Sequence, residues 1–443
     1  MSKHLPPYPS LESLHNQAKQ ILKAYRAQGD GVQRRICAHH PRYSRPPAPS
    51  ALRLADAQLV VAREYGYQSW PRLKRQVDTL NGLSTAVPVG DADGITPAWL
   101  TERLRLRGHL PLGQVVAVER QDTQPKKEGV HRLAVRYSPD APAGMPTSFV
   151  YKFNKKGLNR RHPSGTREAF FYRRIVPQMP DFAVAGCFDI GLNQGAGQSY
   201  LLLEDLEGTH HLPPARQNSP YGGWLSFEEV PLADFEAVVD KLARFQARWW
   251  DRGIIGREPL SAVSPGLASL NDAGQSEGVA ARLEQVGQLA PELGAAAAEV
   301  ARQAIRGFPA LYQGRLAGGK ALTLVHVDFH LRSVFLPDDP RRGEVMFIDW
   351  ESVQRSIGVS DIAHLLLASM LPAPTRREYE ERLLPLYQQA LAANGVVGYD
   401  LEACRADYRL AIIGLSATVL APPFLRACNA AFEDWRCRDL LAR

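Results

Sequence analysis

The spacing of apolar residues changes twice along the chain, and this limits the fold more than any other feature. Near the N-terminus, Leu11, Leu14, Ala18, Ile21, Leu22 and Tyr25 fall on one face at a helical period. Ser10 and Gly29 stand where that helix would be capped. Two more helices are expected between Ser50 and Leu80, broken at Gly66, with Ser69 as a cap and Pro71 in the first turn of the last. Residues 84–97 are small and turn-forming and read as a linker. The period then shortens to two in GQVVAVERQ, HRLAVRYS, SFVYKFN and QSYLLLEDL, with one helix, TREAFFYRRIV, among these strands. From about residue 225 it lengthens again. Leu232, Phe235, Val239, Leu242, Phe245 and Trp249 form a core-facing stripe, and residues 278–313 and 375–443 are helical. The 251–277 loop has no predictable structure. The result is an α+β chain: helical 1–85, a small antiparallel sheet with a helix over 98–210, and a mostly helical 211–443.

Composition excludes several classes. A chain of 443 residues exceeds what one hydrophobic core supports. Its net charge of +7 comes from 53 basic and 46 acidic side chains scattered along it, without the basic runs and interleaved aromatics of a nucleic-acid binder. The five cysteines are widely spaced and form no CxxC pair, so reduced thiols and a cytoplasmic setting are expected. No stretch is long and apolar enough for a membrane span, and MSKHLPPYPS has no signal-peptide core.

One local pattern carries chemistry. SVFL (333–336) and EVMFI (344–348) flank the polar turn PDDPRRG, a hairpin signature. Asp328 precedes the first strand and Asp349 directly follows the second. A hairpin brings its outer ends together, so the two carboxylates are expected to share a site suited to a divalent cation and a reacting hydroxyl. A second reading takes His326, Asp328 and His330 as alternating metal ligands of a hydrolase. It requires further ligands downstream, where His364 is the one later histidine.

HVDFHLRS and FIDWE, in that order, resemble the catalytic loop and metal-binding strand of the aminoglycoside phosphotransferase and choline kinase superfamily, in its ecdysteroid-kinase-like branch. The resemblance runs from about residue 98 to 430. It implies a bilobal protein-kinase-like fold behind a small all-α N-terminal domain. It also implies transfer of the γ-phosphoryl group of ATP, or of GTP, to a hydroxyl of a small molecule with Mg²⁺. Asp328 would be the catalytic base, with His326 bracing its loop. Asp349 would hold Mg²⁺, with Ser333 in the place of the family's asparagine. Asp361 would hold the loop by hydrogen bonds. FVYKF places Lys152 on the nucleotide phosphates, GTREAFFYRRI makes Glu168 its partner, and YLLLEDL makes Glu204, Asp205 and Leu206 the adenine-reading hinge.

The sequence departs from the family in two ways. Serine is a weaker magnesium ligand than an amide carbonyl, which opens the alternative of a nucleotide-binding pseudokinase. The turn between the first two strands carries only Gly129, with Lys126 and Lys127 read as solvated. Trp249, Trp250, Trp350 and Tyr172 are expected in the core, and His330 is left open between a structural and a functional role. The N-terminal LADAQLVVAREYGYQSWPRLK is similar to helical modules found beside bacterial ankyrin repeats, a docking or self-association element.

Overall fold

The computed structural model describes all residues except 1–10, 28–29, 44, 50, 83–93, 122–128, 155–163, 180, 194–197, 217–225, 253–274, 421 and 442–443. The expectations for Ser10, Gly29, Lys126, Lys127, most of the 84–97 linker and most of the 251–277 loop lie outside the described residues. The chain divides into two compact units, one of residues 1–159, 169–180 and 186–205, the other of 160–168, 181–185 and 206–443.

The first unit opens with α1 (Leu11–Arg26), α2 (Asp30–His39), α3 (Leu54–Glu64) and α4 (Trp70–Gly82). They enclose a core of their own, including Leu14, Ile21, Tyr25, Ile36, Val60, Val61 and Leu73. The Ser69 hydroxyl accepts from the Arg72 backbone N–H at 3.4 Å, and Gly66 turns the chain at φ 80°, as the sequence predicts. Buried Glu64 is paired with Arg35. Next comes α5 (Pro97–Leu106), capped by the Thr96 hydroxyl. A five-stranded antiparallel sheet follows in the order β1-β2-β3-β5-β4. Its strands are β1 (Val115–Arg120), β2 (Val130–Tyr137), β3 (Ser148–Asn154), β4 (Cys187–Asn193) and β5 (Gln198–Glu204). One face packs on α5, with Leu100, Leu104, Leu133, Val135, Phe149, Tyr151, Phe153, Tyr200 and Leu202 in one core.

Between β3 and β4 the chain forms α6 (Ser164–Phe170), which continues as one wider turn over Phe171–Ile175. β4 and α5 are absent from the sequence expectations. Asp189 interrupts the alternation of β4, yet it is fully buried. Arg103 and Arg107 from the end of α5 donate to it at 2.5 and 2.6 Å, and the Tyr200 hydroxyl donates at 2.6 Å. Gly191 has no side chain because the Tyr200 ring occupies that space.

The second unit is mostly helical. Its elements are β6 (His210–His211), α7 (Leu232–Trp249), α8 (Gln275–Leu293), α9 (Ala295–Ala317), β7 (Thr323–Val325), β8 (Val334–Pro337), β9 (Met346–Phe347), β10 (Gln354–Ser356), α10 (Ser360–Ala368), α11 (Ala373–Ala393), α12 (Leu401–Thr418), α13 (Pro422–Asp434) and α14 (Cys437–Leu441). The expected hairpin is β8–β9, with Val334 opposite Phe347 and Phe335 opposite Met346. β7 pairs with β10, and α7 packs against α11 and β7. Phe235, Val239, Leu242, Phe245 and Trp249 are buried, as are Trp350 and Tyr172. Among the described residues no disulfide links the cysteines, and no helix is long and apolar enough to cross a membrane.

Candidate functional site

The second unit brings Asp328, Ser333 and Asp349 onto one frame. β7 ends at Val325, and the chain turns through His326 and Val327 to Asp328. β8 leaves from Ser333, whose carbonyl accepts from the Ile348 N–H at 3.0 Å. Asp349 follows Ile348 at once. The His326 imidazole crosses the gap and donates from Nε2 to the Ile348 carbonyl at 2.8 Å. The residue before Asp349 is therefore tied to both Ser333 and His326.

Two backbone conformations at this site are uncommon. Asp349 is left-handed at φ 67°, ψ 47°, a region that aspartate tolerates better than most residues. Val327 has φ 75°, which for a β-branched residue costs about 1–3 kcal/mol and persists only where its surroundings enforce it. The enforcement is visible. Asp361, at the start of α10, accepts from the His326 N–H at 2.8 Å on one oxygen and from the Val327 N–H at 2.9 Å on the other. His364, one turn further along α10, lies with Nδ1 2.6 Å from the Val327 carbonyl. The loop-holding role expected of Asp361 has these hydrogen bonds as its geometry.

The electrostatics follow from burial. His326 is fully buried, and burial lowers its imidazole to about 4 in spite of the Ile348 bond and the charges of Asp349 and Asp328. His364 is lowered by the same cause. Burial pushes Asp361 up to about 7 against its three hydrogen bonds. Asp328 by contrast has a side chain 47% exposed, open to a ligand.

Two imidazoles face this carboxylate. His330 Nε2 lies 3.7 Å and His364 Nε2 4.0 Å from Asp328 Oδ1. The Ser333 hydroxyl points to the Asp328 carbonyl at 3.3 Å and lies 3.1 Å from His330 Nδ1. With that proton on serine, His330 donates from Nδ1, and His364 donates from Nδ1 to Val327. Nε2 of each ring is left facing the Asp328 carboxylate.

His330 thus has a place beside Asp328 that the sequence left open. Gln246 on α7 and Tyr387 on α11 were missed altogether. Gln246 donates to Asp361 at 3.0 Å and accepts from the Tyr387 hydroxyl at 2.5 Å. A signal for Gln246 existed: Phe235, Val239, Leu242, Gln246 and Trp249 step by four and three residues, which puts a glutamine on a helical seam otherwise apolar. The metal-hydrolase reading requires His326, Asp328 and His330 to gather with further ligands. Among the described residues no group of three or more His, Cys, Asp or Glu could hold a metal ion.

In the first unit, Lys152 lies on β3 between Val130 and Leu201. Phe149, Tyr151 and Phe153 fill the core, so the strand's alternation sends Lys152 to the other face, partly buried. Glu204 ends β5, where its carboxylate accepts from the Gly186 N–H at 2.8 Å. Asp205 accepts from Arg132 at 2.5 Å. The chain boundary between the two units falls between Asp205 and Leu206, and the Leu206 side chain is buried. Glu168 lies on α6, buried, in the second unit.

The model of the ecdysteroid kinase-like family matches residues 130–395. No curated protein matches the chain. Among solved structures, it is similar to an aminoglycoside-3'-phosphotransferase of type VIII at 19% identity, covering 67% of this chain and 93% of that one at a TM-score of 0.35. It is similar to the choline kinase LicA from Streptococcus pneumoniae at 15% identity, covering 74% and 94% at 0.38. A microcompartment-associated aminopropanol kinase is similar at 12% identity, covering 76% and 95% at 0.42. The family match spans more than half of the chain and both carboxylates of the hairpin site, and the chain belongs to the ecdysteroid kinase-like family.

Proposed function

We propose that the protein transfers the γ-phosphoryl group of ATP, or of GTP, to a hydroxyl of a small molecule. The observation that carries this reading is the pairing of a half-exposed Asp328 with Asp349 on one hydrogen-bonded frame. Phosphoryl transfer asks little covalent chemistry of the protein and depends on position and charge neutralisation. Asp328 orients the attacking hydroxyl and accepts its proton. Nε2 of His330 and of His364 stand beside Asp328 Oδ1, where the acceptor hydroxyl would arrive. His326 braces the loop. Lys152 clamps the nucleotide phosphates with Glu168 as its partner, and the backbone of Glu204, Asp205 and Leu206 reads the base.

The donor set fits Mg²⁺ of the kind that takes most ligands from phosphate and water. Asp349 offers a carboxylate, and the Ser333 hydroxyl keeps one acceptor lone pair beyond its bonds to Asp328 and His330. Bound there, Mg²⁺ would neutralise charge on the nucleotide phosphates.

The first experiment is a thermal shift with Mg²⁺ and ATP on wild type and Asp349→Ala, followed by a screen of hydroxylated acceptors for ADP release. A metal-dependent shift, lost in the variant, and phosphate transfer to an acceptor are expected. No shift with nucleotide and metal in excess would overturn the reading. A shift without transfer to any acceptor would favour a nucleotide-binding pseudokinase, the reading to which Ser333 points. In that case the N-terminal helices are the place to seek a protein partner.

A further inference from the structure

We propose that Gln246 and Tyr387 are positioning residues, which hold Asp361 in the orientation that fixes the His326–Val327–Asp328 turn. This rests on the phosphotransferase reading, in which Asp328 meets the substrate hydroxyl.

Gln246 is fully buried on α7. Its amide nitrogen donates to Asp361 Oδ2 at 3.0 Å and to the Gly358 carbonyl at 3.0 Å. Its amide oxygen accepts from the Tyr387 hydroxyl at 2.5 Å. Its backbone carbonyl accepts from the Thr323 hydroxyl at 2.6 Å, at the start of β7, which leads into the turn. Both amide protons are thus used on the two residues that bracket the start of α10. Gly358 is part of the fit, because a Cβ there would collide with the Tyr387 hydroxyl and the Gln246 amide oxygen. The path runs from α11 through α7 to α10, and only then to the turn.

The turn needs such support. Val327 at φ 75° returns to an extended or helical conformation unless its N–H and C=O are held, and Asp328 moves with it. Asp361 holds the two N–H groups, one on each oxygen, and accepts them most strongly as a carboxylate. Its three donors, Gln246, His326 and Val327, are all neutral. Burial raises it to about 7, with the Tyr387 hydroxyl from α11 nearby. Removing the Gln246 donor disfavours the ionised form further. The carboxylate then protonates at a higher pH and releases one N–H of the turn.

The test uses the full chain with Gln246→Leu and Tyr387→Phe, alone and combined with Val327→Gly. Hydrogen exchange is read at the His326 and Val327 amides, and ATP turnover is read against pH. Gln246→Leu is expected to speed exchange at these two amides and to lower kcat by about tenfold or more, with KM for ATP held within about twofold. The acid limb of kcat moves to higher pH. Tyr387→Phe acts in the same direction, more weakly. Val327→Gly recovers most of the lost kcat, because glycine adopts φ 75° without strain. A generally loosened core would gain nothing from that glycine. Unchanged exchange at both amides in a folded Gln246→Leu protein, or no recovery with Val327→Gly, would overturn the proposal. Should Gln246→Leu fail to fold, Tyr387→Phe, which removes a single oxygen, carries the same comparison. Exchange needs no turnover: faster exchange in a protein that transfers no phosphate to any acceptor would count against the phosphotransferase reading, not against the hydrogen-bonded path.

Discussion

The His326 imidazole donates to the backbone carbonyl of Ile348 at 2.8 Å, inside the protein and out of reach of water. This bond ties the turn before Asp328 to the strand that ends at Asp349. Leucine at 326 would fill the space and leave the Ile348 carbonyl without its donor. His326→Leu is therefore expected to cost about 1–3 kcal/mol of stability in urea denaturation and to lower turnover at an unchanged Asp328. A variant of full stability and full turnover would contradict the bracing role.

Asp328 and Asp349 are predicted to separate chemistry from binding. Asp328→Asn should lower turnover by roughly two to four orders of magnitude, with the thermal shift from Mg²⁺ and ATP nearly intact. Asp349→Ala should abolish the metal-dependent part of that shift. Equal turnover in Asp328→Asn, or an undiminished metal-dependent shift in Asp349→Ala, would break the assignment.

The pH dependence of stability follows from two buried groups of opposite sign. Burial lowers folded His326 to about 4, while an unfolded histidine binds its proton below about 6.5. Between these values the unfolded state holds the extra proton, and this contribution is lost as the pH falls. Burial raises folded Asp361 to about 7, so there the folded state holds the extra proton and stability is lost as the pH rises from about 4 to about 7. The two slopes oppose each other in wild type. Asp361→Asn removes one of them. Its stability relative to wild type should fall as the pH is lowered from about 7 to about 4, with a slope approaching 1.4 kcal/mol per pH unit. Denaturation curves at three pH values measure this, and a flat difference would refute it.

Asp189 anchors α5 to the sheet of the first unit. Burial alone would raise its carboxyl, but the bonds and charges of Arg103 and Arg107 hold it below the usual carboxylate range. Asp189→Leu leaves two buried guanidinium groups without their anion and should cost about 3–5 kcal/mol. Guanidinium chloride unfolding would show it, and a loss under 1 kcal/mol would mean that the two arginines find other partners.

Much of this protein could be read from residue order alone. Strands β1, β2, β3 and β5, the β8–β9 hairpin and the core stripe of α7 all follow from apolar spacing and turn residues. These are local signals, because a half-buried strand or helix must repeat with its own period. The convergence of Asp328 and Asp349 on one frame was legible for the same reason, since a hairpin joins its outer ends. Long-range partners decided the rest. β4 carries a buried aspartate and a glycine where apolar residues belong, and both are right only because Arg103, Arg107 and Tyr200 lie against them. Gln246 and Tyr387 are 141 positions apart and acquire meaning only when α7, α10 and α11 pack together. The sequence determined the order in which the residues proposed for the chemistry follow one another. The tertiary structure decided the strained turn at Val327 and the placement of two imidazoles beside Asp328, because both depend on contacts between helices and loops that no local period encodes.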